Sequence, residues 1–445
     1  MAIRTLSQSH VEGQSHAEAL SSKIREKTAV VGVVGLGYVG LPMLVAARAS
    51  GYTTVGLDLD LGRIEMLREG RSYLVDVTDG EVASVRDAVS ADDSILAEAD
   101  VIVICVPTPL TDHTPDLTLM RSAAMSVAKT LGPGRLVILE STTYPGTTEE
   151  EFRPVLEKGS GLQAGSDFML AYSPERVSPG QSDYRVEDIP KVVSGLTNEC
   201  RDVTALFYGS FIQSVVVTSS PREAEMAKLI ENTFRHVNIA LVNELALVAH
   251  ELGVDIWEAI RTAASKSFGF MPFFPGPGVG GHCIPIDPTY LSWRTNQLLG
   301  YRAGFIEKAN EINRRMPRFV VERISQLLNE SGKALKGSRI LAIGAAYKGG
   351  VSDVRGSPSI EVMERLTRSG ASVAYHDPYV DELLLEGQMA ESIPLTDSAL
   401  RDHDCVIVLT DHAEIDWPWV ANEATLLFDC RGVTVGHDAP NVVRL

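Results

Sequence analysis

The stretch TAVVGVVGLGYVGLPMLVAARASGYTTVGLDLD, residues 28–60, determines the fold that we predict. An apolar run predicts a buried strand, which leads into the glycine-rich sequence GLGYVG (35–40), an alanine-rich helical segment and a second apolar strand that ends in acid. This is G-x-G-x-x-G in the strand–turn–helix setting of dinucleotide-binding folds. Gly35 permits the tight turn, Gly37 lets backbone approach a pyrophosphate, and Gly40 lets the helix pack on the strand.

The acid at the end of the second strand predicts which dinucleotide is bound. Asp58 lies where a carboxylate can accept hydrogen bonds from both ribose hydroxyls, and it would repel a 2′-phosphate. The sequence therefore predicts NAD rather than NADP. Asp60 is an alternative ribose ligand. The alternative to dinucleotide binding itself is that residues 35–40 form a glycine-rich turn in another α/β fold.

Two further apolar runs end in polar loops that contain proline. ADVIVICVPTPL (99–110) and GRLVILESTTYPGTTEE (134–150) are typical of parallel strands. Because ligands of open α/β sheets lie beyond the carboxyl ends of the strands, Thr108, Ser141 and Thr142 are candidates to line the cofactor site. Each hydroxyl could equally well cap a turn.

Length, charge and cysteine content narrow the class of protein. A chain of 445 residues predicts more than one domain, and a net charge of −18 lacks the basic footprint of a nucleic-acid-binding protein. No apolar run is long enough to span a membrane, and residues 1–27 lack the apolar core of a signal peptide. Five scattered cysteines are typical of reduced thiols in the cytoplasm, and they show no zinc-ligand spacing, so we predict no metal.

A long helix is predicted from about Pro221 to Leu252, because this stretch has no glycine and no internal proline. Lys228 and Asn232 are four residues apart and share one face, and Arg235 lies one turn further on. These polar side chains could simply decorate a solvated face. In a helix that is otherwise apolar they could also be catalytic.

The C-terminal third predicts a second α/β domain. KGSRILAIGAAYKGGVSDVRGSPSIEVMERL begins a strand–loop–helix unit near residue 337, with Gly344 but no full glycine fingerprint. Lys348, Arg355 and Arg431 lie in its predicted loops, where they could bind phosphate or carboxylate groups.

The segment GVGGHCIPIDP (278–288) is predicted to be a shaped loop, because its glycines and prolines exclude a regular helix or central strand. Cys283 could be a small buried apolar side chain in this loop. It could also be a nucleophile, held where the backbone comes close to a ligand.

Seven motifs in order resemble those of the UDP-glucose/GDP-mannose dehydrogenase family, over roughly residues 28 to 432. They are GLGYVGLP, ICVPTP, ESTTYPGTTEE, YSPERVSPG, EMAKLIENTFRHVNIALVNELA, GPGVGGHCIPIDPTYLSW and AYKGGVSDVRGSPSIE. The resemblance implies an α/β chain with two Rossmann-like doubly wound domains joined by a central long-helix dimerisation region. The implied parts are an N-terminal extension (1–27), an NAD-binding domain (28–215), the central region (216–325) and a UDP-sugar-binding domain (326–445).

The family reaction is a four-electron oxidation of a sugar CH₂OH group to a carboxylate with two NAD⁺, and it needs a nucleophile. By motif position Cys283 resembles that nucleophile, which forms a thiohemiacetal and then a thioester. Lys228 resembles the cation that stabilises the developing alkoxide, and Asn232 supports the same oxygen. Asp287 and Glu175 resemble the carboxylates that activate or position the hydrolytic water.

The resemblance also implies the binding residues. Thr142 would assist the two carboxylates, and His282 is an alternative base that neighbours the nucleophile. The implied NAD-binding residues are Gly35, Gly37, Tyr38, Val39, Gly40, Asp58, Arg63, Thr108, Thr142 and Lys348. The implied substrate-binding residues are Glu175, Arg176, Lys228, Asn232, Arg235, Gly280, Lys348 and Arg355.

The departures from the pattern concern the sugar. His282 and Ile286 stand where UDP-glucose dehydrogenases carry serine and lysine, and GGHCIPIDP resembles the subgroup that acts on N-acetylated UDP-hexosamines. We therefore expect a cytoplasmic UDP-N-acetylglucosamine 6-dehydrogenase that forms a homodimer or a higher homo-oligomer. The alternatives are oxidation of UDP-N-acetylmannosamine, UDP-N-acetylgalactosamine or UDP-glucose, a two-electron alcohol dehydrogenase, and an inactive NAD-binding scaffold.

Overall fold

The chain forms two compact units in a computed structural model that describes residues 15–74, 76–112, 114–176, 186–437 and 439–445. The first unit contains described residues up to Thr108 and most of those from Asp116 to Lys228. The second contains the described residues of 109–115 and of 229–445. The division therefore falls inside the long helix that the sequence predicts.

Ten strands and eight α-helices precede residue 253 among the described residues. The strands are β1 (Val30–Val34), β2 (Thr53–Leu57), β3 (Val89–Ser90), β4 (Val101–Ile104), β5 (Leu110–Thr111), β6 (Thr114–Pro115), β7 (Leu136–Leu139), β8 (Met169–Tyr172), β9 (Lys191–Val193) and β10 (Val215–Val217). The helices are α1 (His16–Arg25), α2 (Gly40–Ala49), α3 (Leu61–Arg68), α4 (Asp79–Ala83), α5 (Thr118–Thr130), α6 (Arg153–Ser160), α7 (Asn198–Gly209) and α8 (Pro221–Leu252).

Six of these strands form the parallel sheet of the first unit, in the order β3-β2-β1-β4-β7-β8. The adjacent strands β4, β7 and β8 are buried throughout, as expected for a parallel sheet covered on both faces. The strand order reverses between β1 and β4, so a crevice for a ligand is expected at the carboxyl ends of these two strands.

Helix α1 belongs to the core of the first unit, although its residues fall in the predicted N-terminal extension. Ser15 and Glu18 form a capping box at its N-terminus, which satisfies two free backbone N–H groups. Leu20 and Ile24 are buried in the same apolar cluster as β1. The folded first unit therefore starts before residue 28.

Seven strands and six helices follow α8 among the described residues. The strands are β11 (Arg339–Ile343), β12 (Ser372–His376), β13 (Glu382–Leu385), β14 (Gln388–Glu391), β15 (Cys405–Val408), β16 (Leu427–Asp429) and β17 (Val442–Arg444). The helices are α9 (Ile256–Ala264), α10 (Asp287–Leu299), α11 (Gly304–Glu330), α12 (Pro358–Arg368), α13 (Asp397–Asp402) and α14 (Trp417–Glu423). None of the helices in the described part of the chain combines the length and apolar content that a membrane span needs.

The second unit is built on a five-stranded parallel sheet in the order β12-β11-β15-β16-β17. The order reverses between β11 and β15, which again predicts a ligand crevice at their carboxyl ends. Helix α8 has the predicted limits, and from residue 229 onward it lies in the second unit beside α11. Buried Asn243 and Asn313 join these two helices by a side-chain hydrogen bond of 2.9 Å.

Candidate active site

The glycine-rich turn after β1 has the geometry that a pyrophosphate requires. Gly35 has a φ of +88°, which favours glycine, and a methyl group on Gly40 would stand 1.8 Å from the Gly35 carbonyl oxygen. A methyl group on Gly37 would meet nothing within 4 Å, so this backbone faces open space. Helix α2 begins at Gly40 without a side-chain cap, which leaves backbone N–H groups at its N-terminus to bind phosphate.

Asp58 directly follows β2 and lies against this turn. Its carboxylate accepts hydrogen bonds from the backbone N–H groups of Leu36, at 2.8 Å, and Asp60, at 2.9 Å. The Arg63 guanidinium lies 3.4 Å from the same carboxylate. Asp60, the alternative ribose ligand, instead caps α3, since its side chain accepts from the N–H groups of Gly62 and Arg63. Tyr38 and Val39 lie half-buried in the turn itself.

The hydroxyl candidates lie at the ends of β4 and β7. Thr108 donates its hydroxyl proton to the Thr142 carbonyl oxygen at 2.7 Å, and Ser141 donates to the Val106 carbonyl oxygen at 2.7 Å. Two of the three hydroxyl groups therefore tie the two strand ends together, as turn-capping residues do. The Thr142 side chain is half-buried beside them.

Lys228 reaches the segment that follows β8. Its side chain is buried, and its ammonium group donates to the carbonyl oxygen of Glu175. The next residue, Arg176, donates to the Pro190 carbonyl oxygen at 2.8 Å. These contacts bring Lys228, Glu175 and Arg176 together within the first unit.

Lys191 and Glu140 adjoin Glu175, and the sequence did not identify them. Lys191 begins β9, and its ammonium lies 2.7 Å from a Glu140 carboxylate oxygen and 3.7 Å from a Glu175 carboxylate oxygen. The Tyr208 hydroxyl donates to Glu140 as well. One signal for Glu140 exists in the sequence, since this acid directly follows the four apolar residues of β7. No local pattern identifies Lys191.

Asn232 and Asp287 form a buried pair in the second unit. The Asn232 amide donates to the Asp287 carboxylate, and its oxygen accepts from Arg235. Asp287 is the first residue of α10, where a carboxylate is stabilised by the helix dipole. Both residues of the pair are almost fully buried. The structure therefore joins these three candidates, which are up to 55 residues apart, in one hydrogen-bonded row.

Cys283 is the exposed cysteine of the chain, whereas Cys105, Cys200, Cys405 and Cys430 are buried. Its carbonyl oxygen accepts from the N–H groups of Ile286, at 3.2 Å, and Asp287, at 2.8 Å, which fixes the turn into α10. Burial raises the pKa of Cys405 to about 12 and the pKa of Cys105 and Cys430 well above the ordinary thiol value. Exposure and a rigid turn favour Cys283 as the reactive thiol.

His282 pairs with the loop after β11. Its Nε2 lies 3.0 Å from the Asp353 carboxylate, which also forms a two-point contact with the Arg355 guanidinium at 2.9 and 3.0 Å. Burial and the nearby Arg355 charge lower the pKa of His282 although Asp353 opposes them. A neutral ring that bonds to a carboxylate carries its proton on Nε2.

The glycines before Cys283 let its loop approach the loop after β11. A methyl group on Gly280 would stand 2.7 Å from the Cβ atom of Tyr347 and 2.9 Å from Pro358. The His282 ring meets the Tyr347 ring edge to face, with centroids 6.3 Å apart. Lys348 follows, with its ammonium 5.8 Å from the Tyr347 ring centroid. The nucleophile candidate and the phosphate-binding candidates of the second unit therefore share one packed pair of loops.

Three family models match the chain. They describe the NAD binding domain, the central domain and the UDP binding domain of the UDP-glucose/GDP-mannose dehydrogenase family, and they match residues 29–212, 222–315 and 341–436.

Relatives with sequence or structural similarity agree with the family models. The UDP-N-acetyl-D-glucosamine 6-dehydrogenase of Pseudomonas aeruginosa is 38% identical over 86% of this chain and 90% of the relative. The UDP-N-acetyl-D-mannosamine dehydrogenase of Pyrococcus horikoshii is 36% identical over 87% of this chain and 91% of the relative. A solved structure of UDP-D-ManNAc dehydrogenase from Pyrococcus horikoshii matches with a TM-score of 0.83 and 33% identity. The match covers 93% of this chain and 98% of the chain in that structure.

These matches confirm the predicted α/β fold, NAD as the cofactor and an enzymatic role. The first unit carries the glycine turn that fits NAD, and the UDP binding model coincides with the sheet of the second unit. The chain is an NAD-dependent UDP-sugar dehydrogenase and belongs to the UDP-glucose/GDP-mannose dehydrogenase family.

Proposed function

We propose that this protein oxidises the C6 hydroxymethyl group of a UDP-N-acetylhexosamine, with UDP-N-acetylglucosamine as the favoured substrate, to the uronate. The observation that carries the proposal is the exposed Cys283 at the start of α10, beside the buried Asp287–Asn232 pair. His282 and Ile286, which distinguish the chain from UDP-glucose dehydrogenases, flank this cysteine in sequence.

Cys283 acts on the carbonyl carbon of the C6 aldehyde, and Lys228 acts on its oxygen. Gly35, Gly37 and Asp58 would help to hold NAD⁺, which would supply the hydride acceptor that both oxidations need. The Cys283 thiolate attacks the C6 aldehyde to form a C–S bond, and the carbonyl electron pair moves onto oxygen. The Lys228 ammonium stabilises the alkoxide of the alcohol and the oxyanion of this adduct, an electrostatic effect of about 3 kcal/mol in comparable sites.

The acids act on the thioester that the second oxidation leaves on Cys283. Water attacks the thioester carbon and gives a proton to Glu175, the C–S bond breaks, and Cys283 leaves as a thiolate. Asp287, held by Asn232, would position this water, and Thr142 would assist. Because the sugar stays bonded to sulfur until hydrolysis, the aldehyde is not released.

UDP-N-acetylmannosamine is the second candidate substrate, because a UDP-N-acetyl-D-mannosamine dehydrogenase is 36% identical to this chain and a UDP-N-acetyl-D-glucosamine 6-dehydrogenase is 38% identical. UDP-N-acetylgalactosamine and UDP-glucose follow. The inactive-scaffold alternative predicts that Cys283→Ala leaves the biological role intact.

The test is the number of NADH molecules formed per sugar, with each of the four UDP-sugars limiting. Two NADH from an N-acetylated sugar, with UDP-glucose a poor substrate and Cys283→Ala inactive, is the expected result. Two NADH from UDP-glucose alone would keep the mechanism but contradict the subgroup. One NADH from every sugar would contradict the role of Cys283.

An apolar stripe on α8 supports the homo-oligomer that we also propose. Its exposed side chains recur at spacings of three, four and seven residues, as in a helix that packs on another helix. They are Ile230, Phe234, Leu241, Leu245, Val248 and Leu252. We expect Leu241→Glu combined with Leu245→Glu to halve the molar mass measured by light scattering, and an unchanged mass would contradict this interface.

A further inference from the structure

The ammonium group of Lys191 contacts two carboxylates of the first unit, the buried Glu140 and the half-buried Glu175. It is 2.7 Å from Glu140 and 3.7 Å from Glu175, and the three side chains are 7%, 0% and 14% exposed. A single cation thus faces two anions in a region that excludes most water. The proposed mechanism uses Glu175 but neither of the other two.

Such a cluster is not explained by the stability of the sheet. Taking charged side chains out of water costs several kcal/mol per ion, and an apolar replacement of a buried pair is often as stable or more stable. Buried charges beside a candidate base are more often functional than buried charges elsewhere. The cluster adjoins Glu175, whose carbonyl oxygen also accepts from Lys228.

Glu140 is held as a fixed anchor for Lys191. One of its oxygens accepts from both Lys191 and Tyr208, and the other lies 3.7 Å from the Cys105 sulfur. Burial in itself lowers the pKa of Lys191, but Glu140 and Glu175 outweigh this effect and raise the pKa, so the ammonium stays charged. Its position is therefore set by Glu140, and Glu175 is the second carboxylate within its reach.

We propose that Lys191, anchored by Glu140, is a positioning residue that orients the Glu175 carboxylate for thioester hydrolysis. The inference rests on the proposed function of Glu175 and Cys283. In the step concerned, water forms the C–O bond, its proton goes to Glu175, and the C–S bond breaks to release the Cys283 thiolate. Lys191 exchanges no proton and touches no reacting atom.

Removing the ammonium has a specific consequence. In Lys191→Met, Glu140 and Glu175 lose the ammonium that both of them contact. Burial already raises the pKa of Glu140, and loss of the cation favours a proton there. Glu175 then lacks the charged group that orients it toward the attacking water, whereas Lys228 still serves the two oxidations. Hydrolysis slows, and the earlier steps do not.

The experiment combines pre-steady-state NADH formation with intact-protein mass spectrometry of acid-quenched samples. The substrate is the UDP-N-acetylhexosamine that wild-type protein oxidises with two NADH. We expect Lys191→Met to show a burst of about two NADH per chain, a steady-state rate lower by roughly 10- to 100-fold, and a sugar adduct on Cys283. Lys191→Arg, which keeps the charge, should show a smaller loss.

Two further variants separate this role from a structural one. Glu140→Gln combined with Lys191→Met removes one anion together with the cation. We expect it to hydrolyse the adduct as slowly as Lys191→Met does, because neither variant has the ammonium that orients Glu175, and a restored rate would show that Lys191 only balances buried charge. Lys27→Met is the matched control, because the Lys27 ammonium contacts Ser210 and the Tyr52 ring in the same unit. We expect Lys27→Met to form no excess adduct.

Different results would overturn the role of Lys191 and the proposed function. The role of Lys191 alone would be overturned if wild-type protein forms two NADH and a Cys283 adduct, but Lys191→Met folds and shows neither burst nor excess adduct. One NADH and no adduct in wild-type protein would overturn the proposed function and this inference together.

Discussion

Glu225 is a buried carboxylate on α8, three residues before Lys228, and its ionisation should make the first unit sensitive to pH. It is fully buried and accepts three hydrogen bonds, from the Gly146 N–H at 2.6 Å, the Thr148 N–H at 2.9 Å and the Thr148 hydroxyl at 2.7 Å. Burial raises its pKa from 4.5 to about 7, although these donors oppose the shift. Glu225 thus secures the loop that follows Thr142.

The sign and size of the effect follow from this pKa. Between pH 4.5 and about 7 the folded chain binds more protons at Glu225 than the unfolded chain does. The free energy of unfolding therefore falls as pH rises through this window and is level above it. A shift of about 2.5 pH units corresponds to about 3 kcal/mol, of which most is lost between pH 4.5 and about pH 7.

Glu225→Gln should flatten that dependence, because glutamine is neutral at every pH. The amide also loses one acceptor for a backbone N–H, which should lower stability by about 1 to 3 kcal/mol equally at all pH values. Glu223→Gln is the matched control on the same helix. The Ser220 hydroxyl holds the pKa of the exposed Glu223 below its usual range, so Glu223 is ionised in the folded chain throughout the window and contributes no fall in stability as pH rises.

The assay has to report on the first unit. Tryptophan fluorescence does not, because all four tryptophans lie in the second unit. Hydrogen exchange of the Gly146 and Thr148 amides, with urea unfolding followed by circular dichroism, measures the relevant opening. Parallel pH profiles for wild-type protein and Glu225→Gln would refute the reasoning. A flattened profile in Glu223→Gln would refute it as well.

Three further predictions concern the candidate site. Gly37→Ala should keep the wild-type melting temperature, because its methyl group meets only open space, but it should weaken NAD⁺ binding in calorimetric titration. Gly40→Ala should lower the melting temperature, because its methyl group strikes the preceding turn. Iodoacetamide should modify Cys283 alone in the folded protein, and a second modified cysteine in the intact mass would contradict the burial of the others. His282→Ala should lower kcat/KM by about tenfold, because it removes a hydrogen bond to charged Asp353, while His282→Gln should lose less; equal losses would contradict the role of that bond.

The sequence predicts those parts of the fold that local physics controls. Gly35 needs a positive φ, Gly40 stands against a carbonyl oxygen, and α8 has no helix-breaking residue, so each could be recognised within a short stretch. The limits of α8 and the acid after β2 were predicted for the same reason. The division of the chain inside α8 was not, because compactness depends on contacts that no local pattern records.

The pairings in the candidate site are the part that the sequence could not supply. Asn232 meets Asp287 across 55 residues, and His282 meets Asp353 across a comparable separation. Lys191 is one lysine among the 40 lysine and arginine residues of the chain, and only the fold shows that it is buried against Glu140. A partner fixed by tertiary structure leaves no periodic signal in the residues around it.

Both parallel sheets place an acid after their second strand, and the difference in exposure between these two acids indicates why NAD belongs to the first unit. In both units the acid after the second strand accepts hydrogen bonds from the turn after the first, as Asp58 does from Leu36 and Asp377 does from Ala345 at 2.7 Å. The Asp377 side chain is 0% exposed and also accepts from buried His412, whereas that of Asp58 is 9% exposed. Because the Asp377 carboxylate is not accessible, it cannot accept hydrogen bonds from a ribose. The turn after β11 therefore cannot bind a dinucleotide in the way that the turn after β1 can. The second unit must therefore hold its nucleotide through other groups, and its loop after β11 supplies cationic candidates.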